Sequence, residues 1–191
     1  MNRPDDALAL RRSRRKLLLV ASIFAAPFVL AMALSLAGWH PGAKGHGLPV
    51  LPQRNFQHEQ LAVTLDDGTR WAWRDRTPRL TLLALPGPDC ARRCFAALTG
   101  MAKARVMLNN RQDRLRLLYV GAPPADAGAL AAMRNYWTLG RDPQHALDAW
   151  RPAAPDSMAA LLVESDGTVL ARYPAGFDVS GLLQDMRKVI R

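Results

Sequence analysis

Three kinds of apolar pattern divide the chain. The first is a continuous run without charge from Leu17 to Ala37, LLLVASIFAAPFVLAMALSLA. Its 21 residues would measure ~30 Å as a helix, at ~1.5 Å rise per residue, which is the thickness of a bilayer's hydrocarbon core. The second kind is short and strand-like. Leu80–Leu85 (LTLLAL) and Leu115–Val120 (LRLLYV) are apolar runs bounded by turn formers, as expected of strands buried on both faces of a mostly parallel sheet. Met158–Val163 and Thr168–Tyr173 flank Ser165-Asp166-Gly167 and read as a hairpin, as do Gln60–Leu65 and Thr69–Trp73 around Asp66-Asp67-Gly68. Trp71 and Trp73 then share one face and are read as core packing. The third kind is helical. Ala91–Leu108 follows the first buried strand, and Asp126–Asn135 is alanine-rich. Asp142-Pro143 opens a short helix through Trp150. Val179–Ile190 places Val179, Leu182, Leu183, Met186, Val189 and Ile190 on one face. Tyr136–Leu139 reads as a short strand.

The resulting order is a hairpin, a βαβ unit, a further helix, then β-β-α. The expected fold class is therefore thioredoxin-like α/β, preceded by a single transmembrane helix. The domains follow: a cytoplasmic basic tail (1–16), the transmembrane helix (17–37), a Gly/Pro linker (38–54) and the thioredoxin-like domain (55–191).

Charge settles the orientation. The chain carries a net charge of +10. Arg3, Arg11, Arg12, Arg14, Arg15 and Lys16 stand against Asp5 and Asp6, so the tail holds +4 of it. The rest is scattered. With no zinc spacing, no RNA-binding aromatic motif and no basic helix, nucleic acid is excluded as a partner. A basic flank before the apolar run keeps the N-terminus in the cytoplasm and sends the residues after it outside. Trp39 and His40 fall where an interfacial anchor would sit. An uncleaved signal anchor fits best, because the run exceeds the ~7–15 apolar residues of a cleaved signal. Ser35-Leu36-Ala37 as a cleavage site and Ser13–Leu18 as a twin-arginine export signal are the alternatives, and both also deliver the domain outside. Arginine-rich, lysine-poor usage fits a bacterial genome, so the expected place is a bacterial inner membrane, single-pass, with a periplasmic C-terminal domain.

Cys90 and Cys94 are the only cysteines, and they follow the first buried strand through Pro86-Gly87-Pro88-Asp89. In a regular helix, residues four apart have Cβ atoms ~5–6 Å apart, whereas a disulfide wants ~3.8 Å. A bridge thus requires Cys90 at or before the first turn. A thiol there faces the positive end of the helix dipole, with Arg92 and Arg93 nearby and Asp89 opposing. Such a thiolate is a nucleophile towards disulfides and a soft ligand for Cu(I). The alternative is a structural bridge, but one closing so short a loop would stabilise little. Peroxidase chemistry is disfavoured, because Pro86–Asp89 supplies no hydroxyl before Cys90.

The Cys-x-x-x-Cys after a strand and turn, the preceding hairpin, the N-terminal anchor and the Asp-Gly hairpin ending in Tyr173-Pro174 resemble the Sco/SenC family. These are membrane-anchored thioredoxin-like proteins of cytochrome c oxidase assembly, and the resemblance covers residues 55–191. Read beside it, the chemistry of the pair gives Cys90 and Cys94 catalytic roles in dithiol–disulfide exchange, with Cys90 attacking because the first cysteine is usually the more exposed. The resemblance implies that the same pair holds Cu(I), with copper as the only metal and no cofactor required. Oxidase subunits or other assembly factors are the implied partners, beside the membrane contacted by 17–37. Two positions depart from the family. Ala91 replaces the proline after the first cysteine, and no His follows His145. Asp156, in Pro155-Asp156-Ser157-Met158, stands about where the family's third ligand would fall. Met158 and His145 are the candidate substitutes, while His40 and His46 read as solvated linker residues and His58 has no partner nearby in sequence. Pro155 reads as loop. The competing function is a non-catalytic periplasmic interaction module with an inert disulfide.

Overall fold

The computed structural model describes residues 4–36, 45–124 and 126–190. They fall into two compact units, within 1–44 and 45–191. Ala37, Trp39, His40 and the first part of the expected linker lie outside the described residues.

The first unit holds one helix, α1 (Pro4–Leu36), with Pro27 inside it. The expected apolar run thus lies on a helix, but that helix begins in the basic tail. Among the described residues no helix is long and apolar enough to cross a membrane. The transmembrane helix expected over 17–37 is therefore not shown. Ile23, Phe24, Phe28, Val29 and Met32 on it are exposed.

The second unit is built on a six-stranded mixed sheet. In chain order its elements are β1 (Thr64–Leu65), β2 (Leu80–Pro86), α2 (Arg92–Val106), β3 (Leu115–Val120), α3 (Ala127–Arg134), β4 (Thr138–Arg141), β5 (Met158–Val163), β6 (Val169–Tyr173) and α4 (Val179–Val189). The spatial order is β1-β4-β3-β2-β5-β6. Strands β2, β3 and β4 are parallel neighbours, and β5 returns antiparallel along β2. This is the thioredoxin-like arrangement expected from the sequence.

Strand β2 shows why the apolar runs were continuous. All seven of its residues are buried. Leu80, Leu82 and Ala84 enter one core, with Leu98 and Met101 of α2 and Leu182 and Met186 of α4. Leu83 and Leu85 point the other way, into a core of Phe56, Val63, Trp73, Leu147 and Trp150. That second face is covered by the chain before β2 and by the segment before β5. The segment 45–54, read from its glycines and prolines as linker, runs along the domain. Leu48 exchanges two backbone hydrogen bonds with Arg172 of β6, at 2.8 and 2.9 Å.

Local details differ from expectation where pairing overrides pattern. The Asp67-Gly68 turn forms, with Gly68 N–H donating to Leu65 O at 2.9 Å. The hairpin beyond it is reduced to a bridge between Thr64 and Arg70, on the edge of β1 opposite the one that pairs with β4. Trp73 is buried, its indole N–H donating to Leu61 O at 2.7 Å, and Trp71 lies under the Arg116 guanidinium. The helix expected from Asp142 to Trp150 is only a 3-10 turn, Asp148–Trp150. Asp142 Oδ2 caps a loop there by accepting from Leu147 N–H at 2.7 Å, and His145 takes a positive φ of 56°.

Truncating Leu83 to Ala, fully buried between the two neighbours of β2, is expected to cost about 2–5 kcal/mol. Urea unfolding of the full chain followed by tryptophan fluorescence measures it. A loss under about 1 kcal/mol would mean that this core collapses around the cavity.

Candidate active site at the start of helix α2

Strand β2 ends at Pro86, opposite Met158 of β5. The chain then turns through Gly87, whose N–H donates to Ser157 O at 3.0 Å. A Cβ at Gly87 would run into the Ala154 carbonyl, so only glycine lets the turn lie this close to the loop before β5. Helix α2 starts at Arg92, which leaves Cys90 outside the helix and Cys94 in its first turn. This placement satisfies the geometric requirement stated above. Cys90 and Cys94 form a disulfide, with Cα atoms 5.1 Å apart. Cys94 is fully buried, whereas Cys90 is half-buried.

Cys90 lines a cleft of about 490 Å³ together with Tyr119, Arg141, His145 and Arg151. The Tyr119 hydroxyl donates to Ala122 O at 2.7 Å, and burial pushes its pKa up to about 12, so it stays protonated. Arg151 bridges the strand ends, donating to Val120 O at 2.9 Å and pairing with Asp148 at 3.2 Å.

The residue at the expected third-ligand position does something else. The α2 N-cap residue is Ala91, which has no side chain to cap the helix. The amides are capped instead from across the fold by Asp156. Its Oδ1 accepts from Ala91 N–H at 3.0 Å and Cys94 N–H at 2.9 Å, and its Oδ2 accepts from Arg93 N–H at 2.9 Å. Asp156 has φ of 46°, and its own N–H donates to Asp89 Oδ1 at 2.7 Å. The hydrogen bonds from Cys94 N–H, then from Arg93 and Ala91, hold the Asp156 carboxyl below the usual carboxylate range. The sequence reading placed Asp156 near the cysteines but not this role. A signal was available: Cys90-Ala91-Arg92-Arg93 offers no Ser, Thr, Asp or Asn at the helix start, so the amides needed a distant partner.

The other ligand candidates are not gathered here. Met158 is buried in the core cluster that also contains Cys94. The His145 side chain is 78% exposed and meets Asp148 Oδ2 at 3.0 Å, on the rim of the cleft. His46 approaches Asp185 of α4, and His58 donates its N–H to Asn55. Among the described residues no group of three or more His, Cys, Asp or Glu is arranged to hold a metal ion. With both Asp156 oxygens engaged by amides, the residues present do not fit a three-ligand copper centre. Pro155 follows a trans peptide, since the cis bond among the described residues is Leu51–Pro52.

Residues 81–191 match the family described as transmembrane-like, thioredoxin-like, C-terminal domain. The chain belongs to this family. No curated protein matches the sequence. Among solved structures, apo Sco1 from Thermus thermophilus is similar over 78% of this chain and 99% of its own, at 14% identity and a TM-score of 0.54. A putative protein disulfide isomerase from Bacteroides thetaiotaomicron covers 75% of this chain and 89% of its own, at 15% identity and 0.49. A putative thiol:disulfide interchange protein DsbE from Chlorobium tepidum covers 75% and 94%, at 14% and 0.45. At these identities the likeness is one of fold. In the transmembrane-like thioredoxin-like domain of this chain, the matched region contains β2 onward, hence both cysteines and Asp156.

Because the folded Asp156 pKa lies below its ordinary value, its capping contributes stability above about pH 4, and that contribution is lost as pH falls through the depressed value. Asp156→Asn is expected to flatten the acid limb of the stability–pH curve below pH ~4. Denaturant midpoints measured from pH 2 to 7 test this. Parallel curves for the two proteins would contradict it.

Proposed function

We propose that this protein is a thiol–disulfide exchange protein working through Cys90 and Cys94. The observation that carries the reading is the asymmetry of the pair: Cys90 lines an open cleft, and Cys94 is buried behind it. A partner thiolate would attack Cys90 Sγ, forming a mixed disulfide and releasing the Cys94 thiolate, which takes up a proton. The partner's second thiol, losing its proton, then displaces Cys90. Two electrons and two protons pass from the partner dithiol to this pair, and the partner leaves as a disulfide. The reverse sequence oxidises this pair's dithiol, with Cys90 as the attacking thiol. The alternative, an inert structural bridge, is weakened by the short loop that the disulfide closes, with a sequence separation of 4.

The finer reading is a Sco-like factor, anchored in a bacterial inner membrane with the domain on the periplasmic side. The uncharged run Leu17–Ala37, its basic flank and the exposed apolar side chains of α1 support the anchor. The resemblance to the Sco/SenC family supports oxidase subunits or assembly factors as partners. Copper enters only as cargo, held as Cu(I) by the two sulfurs of the reduced pair, because soft thiolates suit that ion.

In exchange with a disulfide-bonded peptide, Cys90→Ser is expected to abolish turnover. Cys94→Ser is expected to accumulate a mixed disulfide on Cys90. A wild-type reduction potential well below about −300 mV, with no exchange, would instead mark a structural bridge. Anaerobic titration with Cu(I) against a competing chelator tests the cargo reading. Equal retention by the reduced wild type and a Cys90→Ser, Cys94→Ser variant removes copper from the account.

A further inference from the structure

Helices α3 and α4 are capped by the residue just before them. Asp126 accepts from Ala129 N–H at 2.6 Å, and Asp178 accepts from Ser180 and Gly181 N–H at 3.1 and 3.0 Å. Helix α2, the one that bears Cys94, is capped by a carboxylate 62 positions beyond Cys94 in the sequence. The position is built rather than incidental. Asp156 sits at a positive φ that non-glycine residues seldom adopt, and Asp89 holds its backbone there. Its oxygens occupy the amides at the positive end of α2.

That end of the helix is what would otherwise stabilise a cysteine thiolate. A carboxylate there takes the hydrogen bonds and adds a negative charge beside the Cys94 amide. Arg141 and Arg151 also line the Cys90 cleft, but they are common to the wild type and any Asp156 variant. Arg93 Nε lies 3.8 Å from Asp156 Oδ2, but its side chain is 89% exposed and well solvated. Asp89 adds a charge of the same sign. The disulfide carries no charge and is indifferent to this field, whereas a reduced pair bearing a thiolate is disfavoured by it.

We propose that Asp156 is a positioning residue that lowers the reduction potential of the Cys90–Cys94 pair, by occupying the start of α2 in place of a thiolate. It also makes Cys94 a poorer leaving group when Cys90 is attacked, since thiols of higher pKa leave more slowly. The proposal deepens the exchange reading and rests on it for its functional meaning.

The test is the equilibrium of the full-length protein with a dithiothreitol redox couple at pH 9, where a reduced cysteine carries charge. Asp156→Asn keeps an oxygen acceptor and tolerates the positive φ but loses the charge. It is expected to favour the reduced pair by about tenfold, a rise of about 30 mV. Asp156→Ser, a second uncharged cap, is expected to shift the potential in the same direction. Asp178→Asn, the same change at the α4 cap, is expected to weaken the fold without moving the potential. Both Asp156 variants falling within twofold of wild type would overturn the proposal and leave Asp156 as a cap alone. A wild-type potential well below about −300 mV in a separate measurement at pH 7 would sink the exchange reading while leaving this comparison valid.

Discussion

Strand β2 is hydrogen-bonded along both edges and covered on both faces, and the position of the cysteines follows from that confinement. A strand held on four sides cannot shift register without moving two cores at once. Its last residue, Pro86, is therefore fixed against Met158, and the turn that follows is fixed against the loop before β5. The close approach at Gly87 and the Asp89–Asp156 hydrogen bond carry that precision to the first turn of α2. A disulfide between residues four apart is possible because Cys90 is delivered by the strand and Cys94 by the helix.

The start of α2 has two claimants for the same donors. A thiolate would use the helix dipole to become reactive, and a carboxylate uses it to satisfy amides that would otherwise lack partners. In this chain the carboxylate holds the place in the disulfide form. Asp156 stands about where the Sco/SenC resemblance would put a histidine. A neutral imidazole there would be available as a ligand. A carboxylate facing amides is already engaged, so the position of a third ligand is filled by a helix cap rather than by a free donor.

Much of this architecture was legible in the chain. The runs that became β2, β3 and β5 are apolar without alternation because both faces of the sheet are buried, and that pattern is written residue by residue. Cys90 and Cys94 announced themselves through the preceding Pro-Gly-Pro turn. The elements that moved are those decided by partners. The tryptophan hairpin shrank to the Thr64–Arg70 bridge, and on their other edge Thr64 and Leu65 found Arg141 and Gly140 of β4, a partner distant in the chain. The helix expected over 142–150 gave way to a loop because Asp142 reaches forward to the Leu147 amide. The role of Asp156 was the least legible. Its partners are backbone amides, which carry no side-chain signature, and they lie more than sixty positions away.

Asp185 is a buried carboxylate with a different consequence. It accepts from the backbone N–H groups of His46 and Gly47 at 2.6 and 3.0 Å, from the Tyr173 hydroxyl at 3.1 Å and from Lys188 Nζ at 3.2 Å. The chain entering the domain is thereby riveted to α4 and, through Leu48 and Arg172, to the outer strand β6. Tension arriving along the entering chain would be borne at this seam. Force on that chain would enter the fold at β6, two strands away from β2 in the sheet, and at α4, rather than directly at the turn that carries the cysteines.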